Sequence, residues 1–140
     1  MNRYPSPMSS EFLTPDRLRA FYRGYIDCLN HRDWDALGDF VHAEVRYGDT
    51  RIGLSGYRAM LERDVAAIPD LQFRIDRLVA EPPTVAARLL FDCTPKGELF
   101  GLPVNGRRVQ FSENVFYTLR EGRFAQVWSV IDKAAISAQL

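Results

Sequence analysis

From residue 14 onward the chain begins with apolar residues at helical spacing and finishes with apolar residues that alternate. Thr14-Pro15-Asp16 is a helix start: a capping hydroxyl, proline at the first position, an acid in the first turn. Leu18, Phe21, Tyr22, Tyr25, Ile26 and Leu29 then recur at helical spacing and predict a helix with one apolar face. Asn30-His31-Arg32 breaks it, and Asp33 is positioned to cap a short second helix carrying Trp34, Leu37, Phe40 and Val41. Val45-Arg46-Tyr47 reads as a brief strand and Gly48-Asp49 as a turn. Ser55 is positioned to cap a third helix whose stripe is Tyr57, Met60, Leu61, Val65 and Ile68, with Pro69 ending it. Asp64 lies on or beside that stripe, and a solvated position at its edge is expected.

The period then changes. Leu71, Phe73 and Ile75 alternate with Gln72, Arg74 and Asp76, which is strand spacing. Pro82-Pro83 interrupts, and Val85 to Cys93 follows as a more continuously apolar strand, covered on both faces. A longer loop runs from Thr94 to the turn pair Asn105-Gly106; with Phe100, Leu102 and Pro103 it reads as an apolar flap. Arg107 to Leu119 is a third strand, Glu121-Gly122 a hairpin turn, Phe124 to Ile131 a fourth strand, and the last residues can close in a helical turn. Helices first and a meander afterwards predict an α+β domain spanning residues 14–140, with helices on one face of an antiparallel sheet. Residues 1–13, with prolines and serines, read as a flexible arm.

Composition removes several function classes. Eighteen basic and eighteen acidic residues cancel, so the electrostatic footprint of a nucleic-acid binder is missing. The two cysteines, Cys28 and Cys93, lack CxxC spacing and read as reduced thiols of a cytoplasmic protein. His31 and His42 are the only histidines, and no cluster joins them at metal-ligand spacing, so a zinc or iron site is not expected. No segment approaches the length of a membrane span, and Met1 to Ser10 does not read as a signal peptide.

Four motifs carry a family resemblance. The segment Phe100-Gly101-Leu102-Pro103-Val104-Asn105-Gly106-Arg107-Arg108-Val109-Gln110-Phe111 resembles the G-x-P-x-x-G-x-x-V-x-F stretch of SnoaL-like polyketide cyclases. Leu119 to Phe124, followed by Trp128-Ser129-Val130-Ile131-Asp132, is similar to the family's closing W-x-x-x-D segment, and Ala138-Gln139-Leu140 to its Q-L ending. Asn30 to Leu37 is similar to an N-x-x-D-W-D-x-L motif shared with the wider nuclear-transport-factor-like superfamily. The resemblance implies a cone: a strongly bent antiparallel sheet closed by three N-terminal helices around an apolar pocket. It also implies cofactor-free aldol ring closure of a polyketide, with an aspartate as acid/base. The scaffold hosts many activities, so the fold alone does not fix the chemistry. A histidine found in many members near the end of the second long strand is replaced here by the run Thr94-Pro95-Lys96.

On the resemblance, Trp128 and Asp132 face the pocket. Strand parity adds Phe124, Gln126 and Val130 to the same side. Asp132 is the catalytic candidate, its pKa raised by burial, and the alternative is a cap on the final helical turn. Glu113 shares parity with Val109, Phe111, Val115 and Tyr117; in so apolar a row it is either functional or paired with Arg88 or Arg108. Trp128 is core or pocket wall. Tyr47, Tyr57, Phe73, Phe91 and Phe116 are candidates for the aromatic lining, and a Tyr47 or Tyr57 hydroxyl could stabilise an enolate oxygen. The outward row Gln110, Ser112, Asn114, Phe116 and Thr118 suits a wet homodimer contact through the sheet. Three functions follow: a cyclase or isomerase acting on a small hydrophobic carbonyl compound, a non-catalytic binder of a small hydrophobic molecule, or an assembly domain.

Overall fold

A computed structural model describes residues 13–140 of the chain, so the expected N-terminal arm lies outside the described residues except for Leu13. Helix α1 spans Pro15–Asn30, and the Thr14 side chain accepts from the Arg17 amide at 3.2 Å, as the capping signal requires. The second helix is a 3₁₀ turn, Trp34–Asp39, rather than an α-helix. Val41 belongs to strand β1, Val41–Tyr47, which is longer than its sequence suggests. The two-residue strand β2, Thr50–Arg51, leads into α2, Gly53–Ala67. That helix starts two residues before Ser55 and has no side-chain cap. Gly53 makes this entry possible: its φ is +67°, and a Cβ there would stand 3.3 Å from the Ala43 carbonyl oxygen.

Strands β3 (Arg74–Glu81), β4 (Thr84–Cys93), β7 (Val109–Arg120) and β8 (Arg123–Ile131) make the body of a six-stranded sheet, in the order β2-β1-β8-β7-β4-β3. The expected antiparallel pairing holds except that β1 runs parallel to β8. Between β4 and β7, strands β5 (Glu98–Leu99) and β6 (Leu102–Pro103) form a separate small ribbon. The chain ends in α3, Lys133–Ala138, so only two of the three true helices among the described residues precede the long strands.

Register shifts in the β1–β8, β3–β4 and β7–β8 pairs bend the sheet. The α1 stripe packs against one end of the hollow thus made. Tyr22 lies edge-on to Tyr117 with ring centroids 5.1 Å apart, and Tyr25 and Tyr117 both close on Phe124 at 5.1 and 5.0 Å. Asn30 holds the start of β3 as a strand neighbour would: its amide donates to the Phe73 carbonyl at 2.9 Å and its oxygen accepts from the Phe73 amide at 2.7 Å. That clamp sets Phe73 against the cavity.

Candidate active site

The hollow between α1, α2 and the sheet holds a cavity of about 210 Å³. It is smaller than the roughly 300–1,000 Å³ of pockets for drug-sized ligands, and so suits a compact occupant. One end is aromatic. Phe73 meets Phe91 edge-on at 5.5 Å, Phe91 stacks on Phe111 at 5.1 Å, and Phe100 meets Phe111 edge-on at 6.3 Å. The other end carries hydroxyls and two carboxylates: Tyr25, Tyr47, Tyr57, Tyr117, Asp64 and Glu113. Among the described residues no lysine or arginine lines it.

Glu113 sits on β7 opposite Leu89 of β4 and Ile131 of β8, so its registered neighbours are aliphatic. The Ser129 hydroxyl donates to its carboxylate. Among the described residues no ion pair reaches Glu113; Arg88 pairs with Asp76 at 3.2 Å and Arg108 with Asp92 at 2.5 Å, so the partners expected for it are taken. Loss of water around the carboxyl raises its pKa, the Ser129 bond opposes that shift, and the charge of Asp64 adds to it.

Asp64 completes the α2 stripe seven residues, or about two turns, beyond Tyr57. It is exposed, as the expected solvated position at the edge of the stripe requires, and it also lines the cavity, which puts it at the rim. Desolvation pushes its carboxyl up to about 6, against a smaller opposing effect of Arg63. Across the cavity the Tyr25 and Tyr57 hydroxyls share a 2.6 Å hydrogen bond, and those of Tyr22 and Tyr117 one of 3.0 Å. Burial raises the pKa of Tyr57 and Tyr47 alike, so both remain protonated donors through the neutral range.

Of the residues singled out from sequence, Tyr47, Tyr57, Phe91, Phe111 and Glu113 line this cavity. Trp128, Val130 and Asp132 do not. The reason is one residue. Thr118 pairs with Gln126 but Leu119 with Phe124, so Ala125 is an extra residue in β8. Phe124 faces inward as parity suggests, and beyond the bulge the faces exchange: Val127 and Ile131 line the cavity and Ser129 reaches Glu113. Trp128 is left 48% exposed and Val130 69% exposed on the outer face. Phe116, also expected in the lining, is 58% exposed beside Trp128. Asp132 is exposed and caps α3, accepting from the Ala135 amide at 3.0 Å. The Q-L ending has a local purpose: the Gln139 side chain accepts from the Gln110 amide at 2.9 Å and donates to its carbonyl at 2.6 Å, which ties α3 to β7.

Sequence reasoning misses Ser129, Tyr25 and Tyr117 as site residues. The two tyrosines are readable only as core, because they occupy ordinary stripe positions. Among the described residues no group of three or more His, Cys, Asp or Glu side chains converges at metal-ligand spacing. His42 is bound at the surface, 3.1 Å from Glu121, and the buried Cys93 thiol is pushed up to about 11 by desolvation, which keeps it protonated. None of the described helices is long and apolar enough to cross a membrane.

The family model described as SnoaL-like polyketide cyclase matches residues 19–140. Among solved structures, a SnoaL-like polyketide cyclase from Agrobacterium tumefaciens is 52% identical, with a TM-score of 0.86 over 87% of this chain and 96% of its own. TsrD from Streptomyces laurentii is 26% identical, with a TM-score of 0.80 over 91% and 96% of the two chains. IdmH from Streptomyces antibioticus, at 21% identity and a TM-score of 0.72 over 85% and 94%, shares the fold. No curated protein matches the chain.

Proposed function

The chain belongs to the SnoaL-like polyketide cyclase family, and from its cavity we propose a cofactor-free aldol cyclase or isomerase whose acid/base is Glu113 rather than Asp132. The observation that carries this is a carboxylate facing an aromatic cavity, hydrogen-bonded to a serine hydroxyl, with no cation among the described lining residues. Burying an unpaired carboxylate costs stability, and a fold selected only for packing would replace it with leucine. Its raised pKa makes it a stronger base than a solvated glutamate and matches it better to proton transfer near neutrality.

The chemistry follows from the geometry. The Glu113 carboxylate takes a proton from a carbon activated by adjacent carbonyl groups. The enolate oxygen accepts a hydrogen bond from Tyr57 or Tyr47. The carbanion then adds to a second carbonyl of the same molecule, forming a carbon–carbon bond, and the resulting alkoxide recovers the proton from Glu113. Without ring closure, returning the proton at another carbon gives an isomerisation. The aromatic end holds the flat, apolar part of the substrate. A cytoplasmic location accords with two buried thiols, Cys28 and Cys93.

The test is ring closure of an aromatic polyketone. Glu113→Gln keeps the shape and the Ser129 bond but removes the base, and turnover should fall about 10²–10⁴-fold. Asp132→Asn should leave turnover as it is. Equal rates in the Glu113→Gln variant and the wild type, with the compound merely raising the melting temperature, would instead make the domain a binder.

The partner we propose is a second copy of this chain on the outer face of the sheet. Phe116, Trp128, Val130 and Val79 expose a patch there. Two of the arginines on this side, Arg88 and Arg108, are already paired within the chain, with Asp76 and Asp92, which leaves the apolar side chains as the main unsatisfied feature of the patch. A second apolar patch of the same shape is the natural match, as in a two-fold interface.

A further inference from the structure

Among the described residues the β5–β6 ribbon pairs with no strand of the main sheet, and its hydrogen bonds to the rest of the chain lie at its base. There the Thr94 amide donates to Asp70 at 2.9 Å and the Lys96 amide to the Ala67 carbonyl at 3.0 Å. The two sides of the base are joined by Gly106 N–H to Pro95 C=O at 2.7 Å and Asn105 N–H to Gly97 C=O at 2.9 Å. A Cβ added to Gly97 or Gly106 would meet nothing within 4 Å, so there is open space beside both positions.

The tip is unusual chemically. Phe100 and Gly101 form its two-residue turn with φ values of +52° and +80°. Asn, Asp or Gly is the ordinary choice at the first of these positions, and a bulky aromatic there is strained. The turn gains nothing from a phenyl ring. The ring is also 42% exposed, so burial does not fully offset the strain. What it does is stand at the cavity mouth: Phe100 and Leu99 both line the cavity, and the Phe100 ring leans edge-on against Phe111. From the other side, Nζ of Lys133, the first residue of α3, lies 5.6 Å from the ring centroid.

We propose that the β5–β6 ribbon is the lid of the cavity, that Phe100 is its gate, and that Lys133 latches it. The inference rests on the cavity taking a ligand. Lifting the tip breaks the contacts of the Phe100 ring with Phe111 and Lys133, withdraws the buried Leu99 from the cavity wall, and leaves the bonds at the base intact. It also opens a hollow of about 210 Å³ to molecules longer than the closed form admits. A gate and a wall differ kinetically. A wall residue holds a bound ligand in and affects dissociation alone. A gate blocks entry and exit, so removing it accelerates both.

The experiment is stopped-flow fluorescence with 2-naphthol as the probe, on the full chain. Phe100→Gly should raise both the association and the dissociation rate by about 10-fold, the worth of one aromatic contact. Phe100→Asn tolerates the same φ and should behave alike, which guards against a folding defect in the glycine variant. Lys133→Met keeps the stem, removes the charge and should raise both rates about 3-fold. Faster dissociation with unchanged association in both Phe100 variants makes Phe100 a wall and overturns the proposal. If 2-naphthol shows no saturable binding to the wild type, the ligand-site reading itself fails and the lid falls with it.

Discussion

Along β7 the side chains of Phe111, Glu113, Val115 and Tyr117 face the cavity, while Gln110, Ser112, Asn114, Phe116 and Thr118 face the other way, and the two rows handle charge and oil in opposite fashion. The cavity row holds a carboxylate among aromatic rings with a serine hydroxyl as its polar support. The outer face pairs Arg88 and Arg108 with aspartates and exposes an indole and a phenyl ring. A fold built only for stability would do the reverse on both faces. The arrangement teaches where selection has overridden packing: a proton-transfer group inside, a contact surface outside.

The comparison breaks most sharply if a second charge is forced on each row in turn. Val115→Glu adds a carboxylate where a valine is 3% exposed, between rings and near Glu113. It should cost roughly 3 kcal/mol or more, read as a large fall in the denaturation midpoint. Asn114→Glu, one residue away on the outer row, should stay within about 0.5 kcal/mol. Similar losses at both positions would mean that the cavity face is not the dry one.

The outer face yields the next effect. Trp128 stands opposite Phe116 across the β7–β8 ladder. Trp128→Glu should weaken self-association by about 2 kcal/mol or more, the scale of an aromatic anchor at an interface. Sedimentation equilibrium would read it as a shift toward monomer, with the far-ultraviolet circular dichroism unchanged. Wild-type protein that is monomeric at every concentration would remove the second copy from that face.

How much of this is legible in the sequence depends on where local rules apply. The α1 stripe from Leu18 to Leu29 and the Thr14 cap are readable because spacing and capping are local physics. The β7 row containing Glu113 is readable because that strand keeps its period from end to end. Trp128 and Asp132 are misplaced by parity because Ala125 bulges out of β8, and an extra residue in one strand is visible only against the register of its partner. The start of α2 escapes a capping rule because Gly53 needs a positive φ and a close backbone approach, neither of which a capping motif reveals. Motif resemblance supplies the family and the cone, and it also draws attention to an aspartate whose place in this chain is a helix cap.

That cap makes a smaller, cleaner prediction. Asp132→Ala removes the acceptor for the Ala135 amide and should cost about 1 kcal/mol in thermal unfolding. Asp132→Asn should recover nearly all of it, because asparagine caps as well as aspartate. A large activity loss in the asparagine variant would return the chemistry to this residue.

The smallest effect tests the link between the rim and the interior. Asp64 has a folded pKa of about 6, above the ordinary 3.8, so its folded form holds a proton that the unfolded chain releases. Its contribution to stability is therefore fully present below about pH 4 and is lost as pH rises through about 6. Asp64→Asn should accordingly be more stable than the wild type at pH 8, with the gain vanishing near pH 4. Because the rim is solvent-accessible, screening limits that gain to well under about 1 kcal/mol. The same substitution removes a negative charge that raises the pKa of Glu113. With Glu113 as the base, activity climbs with pH as its carboxyl ionises, and in Asp64→Asn the rising limb should move to lower pH while the plateau rate stays close to that of the wild type. A limb that does not move would mean that the two carboxylates do not sense each other across the cavity. The rim would then be a matter of solvation alone, and the raised pKa of Glu113 would belong wholly to the dry face on which it sits.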